Sequence, residues 1–322
     1  MPAKAMTKNP DNLRIVFWGT SDFAVPILNR LAVSPFRPAL AVTTPDAPAG
    51  RGRKFTPPPL KEAALKLGVP VIQPDKLTPN PYPLSARFDL FIVAAYGKIL
   101  PAELLAIPRF GSLNVHPSLL PHWRGPSPVQ FAILNGDIET GVTIMLMDEK
   151  MDHGPVIRCQ KSDIRNQKLT TPQLTKRLAE LGAELLLEKI PEWLGGKITP
   201  QPQDESQATY SKLLHKEDGH VDWSKSAAEI ERMVRAFKPW PGAYAFWNRG
   251  QSRLRLAMEE ADVTDNGPDC KIGEVFDCGG NLGIKTSQGA LMALKVKLEG
   301  KATAAGRDFL AGYRAIIGAI LE

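Results

Sequence analysis

The chain has 322 residues, of which 43% are hydrophobic and 23% charged. At roughly 150 residues per domain, that predicts two globular domains with a sizeable core. The absence of any run of about 18 apolar residues excludes a membrane-spanning helix. The polar start "MPAKAMTKNPDN" has no apolar stretch of the kind a secretory signal needs. A net charge of +6 hints at an anionic partner, and most of the excess falls before Ser211. Cys159, Cys270 and Cys278 show no metal-ligand spacing and suit a reducing cytoplasm, the expected location.

In chain order, Leu13 to Trp18 predicts a strand. A Gly-Thr-Ser-Asp turn follows, then a helix with Phe23, Val25, Ile27, Leu28 and Leu31 on its apolar face and Ser21 or Asp22 as N-cap. "PALAVTTP" predicts a second strand. "PPLKEAALKLGVPVIQ" predicts a helix closed by Gly68 and then another strand. "FDLFIVAAYGKILP" is apolar on both faces, as a central parallel strand must be, and "GSLNVHPS" is the next strand. This β-α alternation predicts a Rossmann-like doubly wound parallel sheet. "TGVTIMLMDEKMDHGPVI" predicts two strands joined by a loop from Asp148 to Gly154, and a long amphipathic helix begins near Thr170 or Thr171. The polar, proline-bearing stretch 201–211 predicts a linker. After it come a helix ending at Pro239, several short strands with Gly and Asp turns, and a closing helix. That pattern predicts a small OB-like β-barrel over 212–322, beside a catalytic domain over 1–200.

Side chains two apart on a strand share a face. Asn114 and His116 are so placed at the carboxyl end of a predicted parallel strand, where open α/β sheets bind ligands. Asp152 sits in the turn "MDEKMDHGP". Each alone has a simpler reading, a satisfied polar side chain or a surface turn. Together they supply a donor, an imidazole and a carboxylate, the parts needed to stabilise an oxyanion and move a proton. His153 is a rival on the same turn, pointed elsewhere by its place next to Asp152. The first βα turn, "GTSDFA", has one glycine where a dinucleotide fingerprint needs three. "GRGRK" is not a phosphate loop, and no Ser sits in G-x-S-x-G. The five His are scattered with no H-E-x-x-H spacing, so no catalytic metal is expected. The densest basic stretch, "PAGRGRKFTPPPLK", carries Arg51, Arg53, Lys54 and Lys61.

"SLNVHPSLLPHWRG", with Asp152 following in "TGVTIMLMDEKMDHG", resembles the core shared by 10-formyltetrahydrofolate-dependent formyltransferases. "VFWGTSDFAVPIL", "TTPDAPAGRGRKFTPPPLK", "VAAYGKILP", "WRGPSPVQ", "HKEDGHVDWSKSA" and "VRAFKPWPGAYAFW" are similar to the methionyl-tRNA formyltransferase branch of that family. The likeness runs from Leu13 to past Trp247 and is weaker over the final barrel. Ser21 and Pro117 stand where the family usually has Pro and Gly or Ala. The resemblance implies transfer of a formyl group from 10-formyltetrahydrofolate to the α-amine of methionyl-initiator tRNA, by direct amine attack. It implies Asn114, His116 and Asp152 as catalytic trio, with Asn114 and His116 on the oxyanion and Asp152 on the proton. It implies Ser118, Leu119, Leu120, Pro121, Tyr96, Gly97 and Ile99 around the folate, and Arg51, Arg53 and Lys54 near the tRNA. A monomer without membrane attachment is expected. A sugar-amine formyltransferase and a non-catalytic RNA-binding protein are the alternatives.

Overall fold

A computed structural model describes residues 13–49, 54–77, 88–265 and 267–322. The chain divides into two compact units. One comprises Met1–Pro128, Glu139–Ile164 and Leu174–Lys212; the other comprises Val129–Ile138, Arg165–Gln173 and Leu213–Glu322.

The first unit is built on β1 (Ile15–Gly19), α1 (Ala24–Ala32), β2 (Leu40–Val42), β3 (Ala47–Ala49), β4 (Lys54–Thr56), α2 (Pro59–Lys66), β5 (Val71–Ile72), β6 (Leu90–Ala94), α3 (Ala102–Leu105) and β7 (Ser112–His116). α4 (Pro128–Asn135), which passes into the second unit, precedes β8 (Glu139–Leu146), β9 (Val156–Asp163) and α5 (Thr171–Leu194). The main sheet runs β5-β2-β1-β6-β7-β8-β9. β5 to β7 are parallel, and β8 and β9 add an antiparallel edge. Every residue of β1, β6 and β7 is buried, as central parallel strands with both faces covered require. Val16, Trp18, Val42, Phe91, Val93, Tyr96 and Leu104 form one core cluster. α1 begins without a side-chain cap; Ser21 contributes its carbonyl, which accepts from Ala24 N at 2.9 Å. β3 and β4 form a separate two-stranded antiparallel ribbon.

Residues 201–211, expected as a linker, run as irregular chain fastened along the first unit. Val156 and Gln201 exchange two backbone hydrogen bonds of 2.8 Å, and Ser211 N donates to Arg124 O at 2.7 Å.

The second unit contains α6 (Ala227–Ala236), β10 (Ala243–Arg249), β11 (Ser252–Thr264), β12 (Val275–Cys278), β13 (Asn281–Lys285), β14 (Ala290–Leu298), β15 (Thr303–Ala305) and α7 (Gly306–Gly312). Ser226 caps α6 in a reciprocal pairing with Glu229. The sheet order is β10-β11-β14-β13-β12, all antiparallel, with β15 on β14. Its two edges do not meet directly. The segment 318–322 closes the gap: Gly318 N donates to Val275 O, Val275 N to Ala319 O and Leu321 N to Gly273 O, while Phe246 and Glu322 exchange bonds of 2.7 and 3.0 Å. A sheet curled shut by its own terminal segment escapes the hazard of unpaired edges.

Deleting residues 318–322 exposes the edges of β10 and β12 and removes the buried Leu321 side chain. About 1 kcal/mol is lost per hydrogen bond. Calorimetry of the shortened chain beside the parent is expected to show the second unit unfolding at a clearly lower temperature; an unchanged profile contradicts the closure.

Candidate active site

Asn114 and His116 lie on one face of β7, 8% and 5% exposed, paired with Val93 of β6 and with Met145 and Thr143 of β8. The β8–β9 loop starts beside β7, where Met147 N donates to Ser112 O at 2.8 Å. It then curls back so that Asp152, 38 residues from Asn114 in sequence, meets both side chains. Asp152 Oδ1 lies 3.4 Å from Asn114 Nδ2 and 3.6 Å from His116 Nδ1. Its Oδ2 accepts from Gly125 N at 2.8 Å. Asp152 holds this position with a φ of +51°, left-handed backbone that Asp tolerates better than most residues. Gly125 has a φ of +108°, and a Cβ there would lie 2.5 Å from Ser211 O, so the donor to Asp152 must be a glycine.

The His116 ring is oriented at its other nitrogen. Nε2 lies 3.1 Å from Trp123 O, and a carbonyl can only accept, so Nε2 carries a proton. Nδ1 is left facing Asp152 as the nitrogen that can gain or lose one. A mobile proton therefore has two acceptors within one site, Nδ1 and Oδ1.

The loop after β7 is braced from inside. Thr143 Oγ1 donates to Ser118 O at 2.7 Å and accepts from Leu120 N at 3.0 Å. Ser118 is fully buried and its hydroxyl donates to His122 O at 2.6 Å, so it holds the loop's own shape. Leu119, Leu120 and Pro121 are half-buried. After β6, Gly97 and Ile99 are exposed, whereas the Tyr96 ring packs edge-on to Trp18 in the core. Burial pushes the Tyr96 hydroxyl up to about 12. His153 turns aside, its Nδ1 2.6 Å from Asp148 Oδ2.

Of the basic stretch, Lys54 is exposed on β4. Lys61 bonds Asp46 at 2.8 Å and, as the largest of several causes, holds that carboxyl below the usual carboxylate range. Arg51 and Arg53 lie outside the described residues. Among the described residues, no group of three or more His, Cys, Asp or Glu is placed to hold a metal ion. No described helix is long and apolar enough to cross a membrane.

Residues 13–190 match the model of the formyl transferase family, and residues 213–314 match that of the formyl transferase C-terminal domain. A methionyl-tRNA formyltransferase of Roseiflexus sp. (strain RS-1) is 44% identical over 94% of this chain and 93% of its own length. That of Methylococcus capsulatus (strain ATCC 33009 / NCIMB 11132 / Bath) is 43% identical over 92% of this chain and 96% of its own. The chain belongs to the methionyl-tRNA formyltransferase family. Solved structures with the same fold include an N-formyltransferase from Helicobacter canadensis in complex with folinic acid and dTDP-3-aminofucose. Its TM-score is 0.63 at 19% identity, over 87% of this chain and 98% of that one. HypX from Aquifex aeolicus, in complex with tetrahydrofolic acid, matches with a TM-score of 0.60 at 19% identity, over 95% of this chain and 48% of that one.

Several groups in this formyltransferase site escape a reading by motif. The carbonyl of Trp123 and the N–H of Gly125 are main-chain atoms, and no residue type announces them. Arg124, only 1% exposed, and Gln203 are brought together by the fold alone. The one available signal is Arg124 itself, a lone guanidinium in the otherwise uncharged run "WRGPSPVQ".

Thr143→Val strands Ser118 O and Leu120 N without a partner. A loss of about 1–3 kcal/mol is expected on chemical denaturation, and a variant as stable as the parent contradicts this bracing.

Proposed function

We propose that the protein transfers the formyl group of 10-formyltetrahydrofolate to the α-amine of methionyl-initiator tRNA. The observation that carries this reading is the meeting of Asp152 with Asn114 and His116. The high identity to named methionyl-tRNA formyltransferases over nearly the whole chain selects the acceptor.

A free α-amino group has a pKa of about 7.7–8, and esterification of the carboxyl lowers it. Much of the acceptor is therefore already a neutral nucleophile near neutral pH, and no enzyme nucleophile is needed. The amine nitrogen bonds to the formyl carbon, and the carbonyl electrons move onto oxygen. Asn114 Nδ2 and a protonated His116 Nδ1 donate to that oxyanion, an effect of about 3–4 kcal/mol per donor. Asp152 takes the proton from the attacking nitrogen and the folate N10 receives one as its bond to carbon breaks. The products are the formamide and tetrahydrofolate, with no net proton taken from the enzyme.

Leu119, Leu120, Pro121 and Ser118, with the chain at Tyr96, Gly97 and Ile99, line the folate in this reading; the Tyr96 ring itself stays in the core, so that residue contributes backbone. The backbone after β7 is what Ser118 contributes, since its hydroxyl is engaged. Arg51, Arg53 and Lys54 meet tRNA phosphates. Lys54 is exposed and Phe55 beside it is 75% exposed, which suits a ribbon presented to nucleic acid. In the second unit Arg253, its side chain 55% exposed, stacks 3.9 Å over Phe246 and offers a further cationic surface.

Asp152→Asn is expected to lower kcat about 10²–10⁴-fold while folate-analogue binding and thermal stability stay near those of the parent. Near-normal turnover defeats the proposed role. Arg51→Ala and Lys54→Ala are expected to raise the KM for charged tRNA much more than that for the folate. Raising salt should then weaken the parent more steeply than either variant. Variants that match the parent at low salt would remove these residues from the tRNA surface.

A further inference from the structure

We infer that Arg124, acting through Gln203, is a positioning residue that holds the Asp152 turn against His116. The inference rests on the reading that Asp152 handles the reacting proton.

The Arg124 guanidinium is buried yet fully engaged. Nε and Nη2 donate to Gln203 Oε1 at 3.0 and 2.8 Å. Nη2 and Nη1 donate to the two oxygens of Glu205 at 2.6 and 2.9 Å, and Nη1 also reaches Tyr210 OH at 3.4 Å. The hydrogen bond to Glu205 is the main cause that raises the guanidinium's pKa, and the same bond lowers that of Glu205. A buried cation so paired is fixed in place.

That fixation orients the neighbouring amide. Gln203 Oε1 accepts two guanidinium N–H groups, so its NH₂ must face the other way; turned over, it would present N–H to N–H. On that other side Gln203 Nε2 donates to Asp152 O at 2.9 Å and to Gly154 O at 2.8 Å. The two carbonyls flank His153 and pin the left-handed turn at both ends. Gly154 packs against the Leu146 carbonyl, where a Cβ has no room, so the turn cannot relax on that side.

The main chain of Arg124 is tied to the same pair. The residue before it accepts from His116 Nε2, and the residue after it donates to Asp152 Oδ2. Arg124 N donates to Thr209 O at 2.9 Å, and Arg124 O accepts from Ser211 N at 2.7 Å. One residue thus registers the imidazole and the carboxylate through its backbone, and the turn that carries the carboxylate through its side chain. The segment 201–211 supplies every other partner.

Gln203→Glu separates positioning from packing. A carboxylate keeps, and strengthens, the contact to Arg124, but it has no N–H to give to the Asp152 and Gly154 carbonyls. The expected result is a kcat lowered about 10–100-fold, with KM for both substrates within about twofold and the melting temperature lowered by only a few degrees, as two unpaired carbonyls require. Gln203→Met, of similar length and without hydrogen bonds, should show the same fall in kcat. A Gln203→Glu enzyme with the parent's kcat overturns the inference and leaves a purely structural ion-pair cluster. The double variant with Asp152→Asn gives the second readout: Gln203→Glu should cost almost nothing further in that background, and additive losses overturn the route through Asp152. If Asp152→Asn itself turns over normally, it is the proposed chemistry that fails, which these outcomes keep distinct.

Discussion

One carboxylate, divided between two tasks, organises the site. Asp152 Oδ2 is committed to the Gly125 N–H, while Oδ1 faces Asn114 and His116. The first contact anchors the group; the second keeps one oxygen available for a proton. Neither would exist if the backbone at Asp152 were extended, because only the left-handed turn carries the side chain back along β7. The cost of that conformation is met by neighbours that leave the turn no alternative, a common device where geometry serves chemistry.

The imidazole depends on the same economy. A main-chain carbonyl, from Trp123, decides which nitrogen of His116 is always protonated, and so which one is free to work. Trp123 itself has a φ of +58°, and its N–H donates to Thr209 Oγ1 at 2.9 Å. Two left-handed residues, Trp123 and Asp152, therefore flank the His116 ring, each held by a side chain from 201–211, Thr209 and Gln203 respectively.

The second unit solves a different problem. A six-stranded antiparallel sheet leaves two open edges, and the segment 318–322 bonds to both. Its arginine-on-aromatic stacks, Arg253 on Phe246 and Arg255 on Tyr244, join diagonal neighbours of β10 and β11, where alternate side chains share a face.

Much of this was legible in the amino-acid order. The doubly apolar runs of β1 and β6, the i, i+2 placement of Asn114 and His116, and the α6 capping pair Ser226 and Glu229 are local patterns with local causes. The motif around Asn114 to Gly125, with Asp152 following, indicated the formyltransferase core, and motifs spread from Val16 to Trp247 indicated the methionyl-tRNA branch. Over 201–211, polarity and proline mark chain between the two domains but say nothing of what its backbone bonds to. The packing of Tyr96 into the core, the engaged hydroxyl of Ser118, and the joining of Arg124 with Gln203 and Glu205 were decided by tertiary structure alone. Each depends on contacts between residues distant along the chain or on a main-chain direction, and a side chain's identity specifies neither. Sequence thus determined which chemical groups are present and on which strands they ride; folding decided which atoms of them remain free to react.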